Sequence, residues 1–104
     1  MGVLVAISIP IFTAQLEKAR EATDQANIRS AYAEVSANML TEDNVANVDP
    51  IIVSAKQTAP NWLTNGNDAN YNIGGIEVAA KTAPNGNWNV HAVNNAGNFE
   101  VQIN

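Results

Sequence analysis

The sequence contains no cysteine, which excludes a disulfide-stabilised scaffold, a thiolate metal site and a cysteine nucleophile. Histidine occurs once, as His91, so no pair of imidazoles can hold a metal ion. His91 also lies in a predicted strand at a position that faces away from the core, which favours a solvent-facing side chain over a catalytic one. No other pattern supplies a nucleophile with a neighbouring base. We therefore predict a chain that is not an enzyme and that has no catalytic residue, cofactor or metal ion.

Charge is scarce, and positive charge is the scarcer kind. The 104 residues include 5 Lys and Arg against 10 Asp and Glu, and the net charge is −5. Phosphate binding depends on clustered cations, so we do not expect the folded domain to bind nucleic acid. A hydrophobic content of 46% is ordinary for a globular protein, and the length suits a single domain with a modest core.

The acidic residues of the loops do not form a calcium motif. Glu42, Asp43 and Asp49 lie in one predicted loop, and Asp68 lies in the run NGNDAN. Neither run has the ordered spacing of a calcium-binding loop, so turn formation is the favoured interpretation. The pair Gly74-Gly75 similarly indicates a turn or bulge rather than a phosphate site.

Glycine and proline are both absent between Ile11 and Leu40, where Ala, Glu, Gln, Leu, Lys and Arg are plentiful. This composition predicts a helix of about 45 Å, which is long for so small a domain. The run TEDNVANVDP, which begins at Thr41, predicts its end.

One face of this helix changes character along its length. Its C-terminal part carries an apolar stripe with helical spacing, formed by Ile28, Tyr32, Val35 and Met39. Toward the N-terminus the same stripe meets Asp24, Glu21 and Glu17. We interpret these carboxylates as a solvated face that contributes little to stability, or alternatively as contacts to neighbouring subunits. The predicted division is therefore a projecting segment at 1–26, apolar to about residue 12, and a head at 27–104.

Beyond Pro50 the pattern changes to short extended runs, which predict strands at 51–58, 71–80, 87–93 and 98–104. The run NNAG between the last two indicates a hairpin. Alternating residues of the last two predicted strands are expected to face the helix stripe and form the helix–sheet core. They are Trp88 and Val90 in the first of these strands, and Phe99, Val101 and Ile103 in the second. The predicted fold is α+β, with one long N-terminal helix packed across a three- to four-stranded antiparallel sheet arranged as a meander.

The chain opens on a short apolar run. It consists of Val3, Leu4, Val5, Ala6, Ile7, Ile9, Pro10, Ile11 and Phe12, with Ser8 among them. A membrane-spanning helix needs about 20 apolar residues, so this run has half the required length. It is either a buried core element or part of a longer apolar helix.

The stretch GVLVAISIPIFTAQLEKAREATDQANIRSAYAEV resembles the N-terminal helix of type IV pilins and the related pseudopilins. The resemblance covers roughly residues 2–40 and includes the dipeptide Ile9-Pro10. It implies the pilin fold, with an apolar helix that anchors the precursor in the inner or cytoplasmic membrane and then packs in a filament core. Pro10 removes a backbone donor and is expected to bend or loosen the helix. It marks either a site where helicity is lost on assembly or a static kink.

Several family features do not occur in this sequence. The basic leader, the aromatic residue after it and the near-terminal glutamate are absent, and so is the family's common C-terminal disulfide. We therefore interpret the chain as a truncated or processed form, and the missing disulfide favours the cysteine-free pilins of Gram-positive bacteria.

The resemblance implies a major pilin, the structural subunit of an extracellular surface filament that supports adhesion, motility or DNA uptake. Its expected partners are copies of itself in a helical filament, the membrane before assembly, and the pilus assembly machinery. The alternative is a pseudopilin of a type II secretion or competence system. The assembly helix is then Val3 to Phe12.

Overall fold

A computed structural model describes residues 2–42 and 44–104, with side chains of the first helix described from Gln15 onward. Helix α1 spans Gly2–Met39 and continues through Pro10 without interruption. It ends in a tightened turn, where the backbone N–H groups of Leu40 and Thr41 donate to the carbonyls of Ala37 and Asn38 at 3.2 Å. The helix therefore ends within one residue of the predicted position, while the bend at Pro10 remains a prediction.

In the part of the chain that the structure describes, five strands follow the helix and form two antiparallel sheets. Strand β1 (Ile51–Ser54), β4 (Asn87–Asn95) and β5 (Asn98–Ile103) form a three-stranded sheet in the order β1-β4-β5. Strands β2 (Asn70–Ile73) and β3 (Ile76–Ala79) form a separate two-stranded hairpin. The prediction of α+β architecture, with one N-terminal helix packed against an antiparallel sheet, is confirmed.

The β4–β5 hairpin agrees with the prediction from the run NNAG. Asn95 pairs with Asn98, and the two residues between them have positive φ angles, 55° for Ala96 and 91° for Gly97. Two successive residues in this conformation match the right-handed twist of the flanking strands. The Asn94 side chain also accepts a hydrogen bond from the Gly97 N–H at 2.8 Å.

Three details of the predicted sheet are wrong. The run 71–80 is a hairpin rather than one strand, because Gly74 and Gly75 adopt φ angles of 59° and 88° and reverse the chain. Strand β1 ends at Ser54, so residues 55–58 belong to a loop. Because β1 pairs with β4 and not with the next strand in sequence, the sheet is not a meander.

The core lies between α1 and the two sheets. Most members of the predicted core lie there: Ile28, Val35, Trp88, Val90 and Ile103 are buried, while Tyr32, Met39 and Val101 are partly buried against them. Phe99 is half-buried at the edge of the main sheet and lines a surface cleft.

Two tryptophans connect the sheets. Trp62 and Trp88 stack with ring centroids 5.8 Å apart and an interplanar angle of 20°. Their indole N–H groups donate to the carbonyls of two β3 residues, Trp62 to Val78 at 3.0 Å and Trp88 to Ala79 at 2.7 Å. Both indole donors are therefore satisfied inside the core, as burial of this side chain requires.

Candidate functional site on the N-terminal helix

The acidic part of the helix stripe is buried. Glu17, Glu21 and Asp24, which we call the carboxylate row, are 7%, 0% and 0% exposed. Their spacing of four and three residues places them on the helix face that continues into Ile28 and Val35. The prediction that these carboxylates are solvated is therefore wrong, and the helix packs against the rest of the molecule at least ten residues before the predicted boundary at 27.

The partner of the carboxylate row is the loop of residues 55–64, which follows β1. Asp24 Oδ2 accepts the backbone N–H groups of Gln57 at 2.9 Å and of Lys56 at 3.0 Å, and its Oδ1 accepts Lys56 N–H at 2.9 Å. One carboxylate thus satisfies two consecutive backbone donors that a loop would otherwise present to water.

Glu17 holds the next residue of the same loop. Its carboxylate accepts the Thr58 backbone N–H, at 2.6 Å to Oε1, and the Thr58 hydroxyl at 2.8 Å. Arg20 lies 3.9 Å from the Glu17 carboxylate, with its side chain 38% exposed, so this ion pair adds little beside the backbone bonds.

Glu21 contacts the far end of the loop. Its Oε1 accepts the Thr64 backbone N–H at 3.0 Å and the Thr64 hydroxyl at 3.2 Å. The Gln25 side chain donates to that same hydroxyl at 3.0 Å, so side chains from two successive turns of the helix form hydrogen bonds with Thr64. The other oxygen of Glu21 is buried and forms no hydrogen bond among the described residues.

Burial changes the proton affinity of one member of the row, Asp24. Burial of the Asp24 side chain away from water raises the pKa of its carboxyl above the ordinary value. Hydrogen bonds from the Gln57 and Lys56 N–H groups and the charge of Lys56 oppose this rise, while the charge of Glu17 adds to it. The desolvation is the larger influence, because the whole side chain lies between helix and loop.

Sequence reasoning missed this site because its partners carry no sequence signature. Backbone N–H groups of a loop can belong to any residue type. The available signal was the spacing itself, since residues 17, 21 and 24 continue the 28-32-35-39 stripe without a change of phase. Sequence reasoning also missed Trp62, for another reason: it is isolated in a polar run, so no apolar pattern indicates that it belongs to the core.

The predicted assembly residues Val3 to Phe12 all belong to α1 by their backbone, while their side chains lie outside the described residues. Asp43 also lies outside them. Among the described residues, no helix has a stretch long and apolar enough to cross a membrane.

The remaining candidates take ordinary structural positions. His91 is half-buried, and its Nδ1 lies 3.3 Å from the Asn89 carbonyl. Asp68 accepts the Asn70 N–H at 3.1 Å, as expected for turn formation. Among the described residues, no group of three or more acidic or histidine side chains is arranged to hold a metal ion.

The carboxylate row and the 55–64 loop therefore form a polar extension of the hydrophobic core, which fixes the middle of a long helix to a small head.

No protein-family model matches the chain, and neither a curated protein nor a solved structure matches it.

Proposed function

We propose that this chain is a structural subunit of a type IV pilus-like surface filament, which assembles through the N-terminal part of α1. The observation that carries the proposal is the length of the helix relative to the head. Thirty-eight residues span about 57 Å at 1.5 Å per residue. The molecule extends 64 Å along one axis and 20 Å along the other two. A helix thus runs the length of a narrow molecule.

The described contacts between helix and head support this arrangement. They begin at Glu17, whereas Gln15 and Leu16 are exposed. The apolar run Val3 to Phe12 precedes these residues and lies at least five residues from the first contact. A helix that is apolar on all sides suits an environment without water, which a bundle of neighbouring helices in a filament supplies.

The carboxylate row supports a mechanical role. Hydrogen bonds that involve a charged group are stronger than neutral ones, and here several such bonds join one helix to one loop. They hold the head at a fixed orientation to the helix axis. A filament subunit needs this property, because every head must repeat at the same orientation for a regular lattice to form.

Electron microscopy of the producing cells, with an antibody against residues 44–104, tests the proposal. Two variants that each add one acid to α1 form a matched pair: Ile9→Asp within the apolar run and Ala22→Asp at an exposed position. Labelled filaments are expected from the unchanged protein and from Ala22→Asp, and none from Ile9→Asp. Abundant protein without labelled filaments, or normal filaments from Ile9→Asp, would contradict the proposal.

The same experiment distinguishes the second candidate. Long filaments on the cell surface support a pilin, whereas short assemblies that stay within the cell envelope support a pseudopilin of a secretion or competence system.

A further inference from the structure

The tripeptide Asn-Gly-Asn occurs twice in the loops of the head, at 65–67 and at 85–87. An asparagine that precedes glycine is open to an intramolecular reaction, in which the backbone nitrogen of the glycine attacks the side-chain carbonyl carbon of the asparagine. Glycine favours this attack because it has no Cβ to shield its nitrogen and because its backbone is permissive. The two copies share this local sequence, but the fold gives them different surroundings.

The copy at 85–87 is held through its glycine. The Gly86 N–H donates to the Thr82 carbonyl at 2.8 Å, and the Gly86 carbonyl accepts the Ala55 N–H at 2.9 Å. A Cβ built on Gly86 would lie 2.5 Å from the Thr82 carbonyl oxygen, so the backbone is closely packed there. The attacking nitrogen is therefore engaged, and these contacts must open before it can react with Asn85.

The copy at 65–67 has a free attacking nitrogen. Gly66 is exposed and follows the short 3-10 helix Leu63–Asn65 with a φ of 64°, and its N–H forms no hydrogen bond among the described residues. The exposed Asn65 side chain donates one hydrogen bond, from Nδ2 to the Asn70 carbonyl at 3.0 Å. Water can replace this exposed bond at little cost, and the bond holds the leaving nitrogen rather than the attacking one.

We propose that Asn65 is a site of spontaneous deamidation and that the fold protects Asn85 from the same reaction. The Gly66 nitrogen forms a bond to Asn65 Cγ, the Cγ–Nδ2 bond breaks, and the Gly66 proton passes to the leaving nitrogen, so that ammonia departs and a succinimide ring remains. Water then adds to either ring carbonyl and breaks its bond to nitrogen. The products are aspartate and isoaspartate at position 65. Water is the only co-reactant, and the inference does not depend on the proposed filament function.

The position of Asn65 connects this reaction to the carboxylate row. Its neighbour Thr64 is the residue whose backbone N–H and hydroxyl the Glu21 carboxylate accepts. Either product replaces the Nδ2 donor to Asn70 with a negative charge, in a part of the loop that is already held by a carboxylate. We therefore expect deamidation to weaken the attachment of the loop end to α1.

Isoaspartate should have the larger effect, because it adds one carbon to the backbone. Residues 62–68 form a closed turn, in which the Trp62 N–H donates to the Asp68 carbonyl at 2.7 Å. A longer backbone inside this turn must distort it, and Trp62 belongs to the core. The modification thus reaches from an exposed loop to a buried side chain.

Peptide mapping by mass spectrometry tests the proposal on the intact 104-residue chain, incubated in slightly alkaline buffer made with heavy-oxygen water. In the folded protein Asn65 should incorporate heavy oxygen at least about tenfold faster than Asn85, because the Gly86 contacts must open first. In guanidinium chloride the two sites should react at similar rates, since both are Asn-Gly-Asn. Equal rates in the folded protein, or an unchanged preference for Asn65 after unfolding, would overturn the proposal.

Two variants test the mechanism and its consequence. Gly66→Ala should slow the reaction at Asn65 and leave Asn85 unchanged, and an unchanged rate at Asn65 would exclude attack by the residue 66 nitrogen. Asn65→Asp reproduces one product and should lower the melting temperature by a few degrees more than Asn67→Asp, which adds the same charge at an exposed position of the same turn. Equal melting temperatures for these two variants would overturn the connection to the carboxylate row.

Discussion

The carboxylate of Asp24, in the middle of helix α1, accepts the backbone N–H of Gln57 at 2.9 Å across 33 residues of sequence. Both side chains are fully buried. A smaller or apolar residue at position 24 would leave donors of the loop unsatisfied. The Glu21 carboxylate makes the same kind of contact one turn earlier in the helix, and the Glu17 carboxylate does so two turns earlier. The helix is therefore held to the head by a row of charged acceptors as well as by apolar contacts.

Glu17→Ala should lower the free energy of unfolding by about 1–3 kcal/mol, because it leaves the Thr58 N–H without its acceptor. In a domain of this size that corresponds to a loss of several degrees in melting temperature. Glu34→Ala is the matched control, since Glu34 is an exposed glutamate on the same helix and should change stability by less than about 0.5 kcal/mol. Thermal melts that give equal losses for both variants would show that the Glu17 contact contributes nothing.

Asp24 should make stability depend on pH in a defined direction. Its pKa is raised in the folded protein by burial, so the folded state binds this proton more tightly than the unfolded state does. The carboxylate therefore costs stability above its folded pKa, and this cost disappears as the pH falls toward the ordinary value of about 3.9. Relative to Asp24→Asn, the unchanged protein should gain stability as the pH is lowered from 7 to about 4.

Urea denaturation of both proteins across that pH range measures the difference. Asp49→Asn, at an exposed loop position, shows how far a change of net charge alone alters the curve. A relative loss of stability for the unchanged protein on acidification would mean that the hydrogen bonds from Gln57 and Lys56, rather than desolvation, dominate the proton affinity of Asp24.

The apolar half of the stripe should tolerate no charge. Val35 is 0% exposed, so Val35→Asp buries an unpaired carboxylate and should unfold the domain. Met39→Asp should be less damaging, because Met39 is only partly buried. Ala37→Asp adds the same group at an exposed position of the same helix and should leave a cooperative melt. Circular dichroism measures whether each variant is folded. A folded Val35→Asp protein would show that the helix does not pack as described.

Gly74 should be less replaceable than its neighbour Gly75. Both have positive φ angles, 59° and 88°, but a Cβ at Gly74 would lie 2.7 Å from Tyr32 Cζ while none of the described atoms lies within 4 Å of a Cβ at Gly75. Gly74→Ala should therefore cost about 1–3 kcal/mol more than Gly75→Ala, because the Tyr32 ring must move. Chemical denaturation of both variants, and of Gly74→Ala combined with Tyr32→Leu, measures this difference. Equal losses for the two single variants, or no recovery in the double variant, would exclude a steric origin.

Part of this fold could be predicted from the sequence because the decisive patterns are local. The absence of glycine and proline over thirty residues indicates α1, and alternation in the last strand places Ile103 inward. The β2–β3 hairpin was mistaken for one strand because Gly74-Gly75 fits either a bulge or a reversal, and only pairing decides between them. The carboxylate row was misinterpreted because a buried carboxylate and a solvated one look alike in sequence when the partner is a backbone N–H of a distant loop.

Removal of residues 1–11 should leave the head stable, because the described helix–head contacts begin at Glu17. The melting temperature of the shortened chain should match that of the full one within a few degrees. A core helix would behave differently, since each lost Val, Ile or Leu side chain costs about 2–5 kcal/mol in a packed interior.

Sedimentation velocity of the full and shortened chains over a concentration series tests the central claim most directly, namely that the apolar start of α1 mediates assembly. The full chain should form larger species as its concentration rises, since soluble monomers rarely leave a large apolar surface uncovered. The chain without residues 1–11 should remain closer to a monomer at every concentration. Equal self-association of the two chains would contradict assembly through the N-terminal helix.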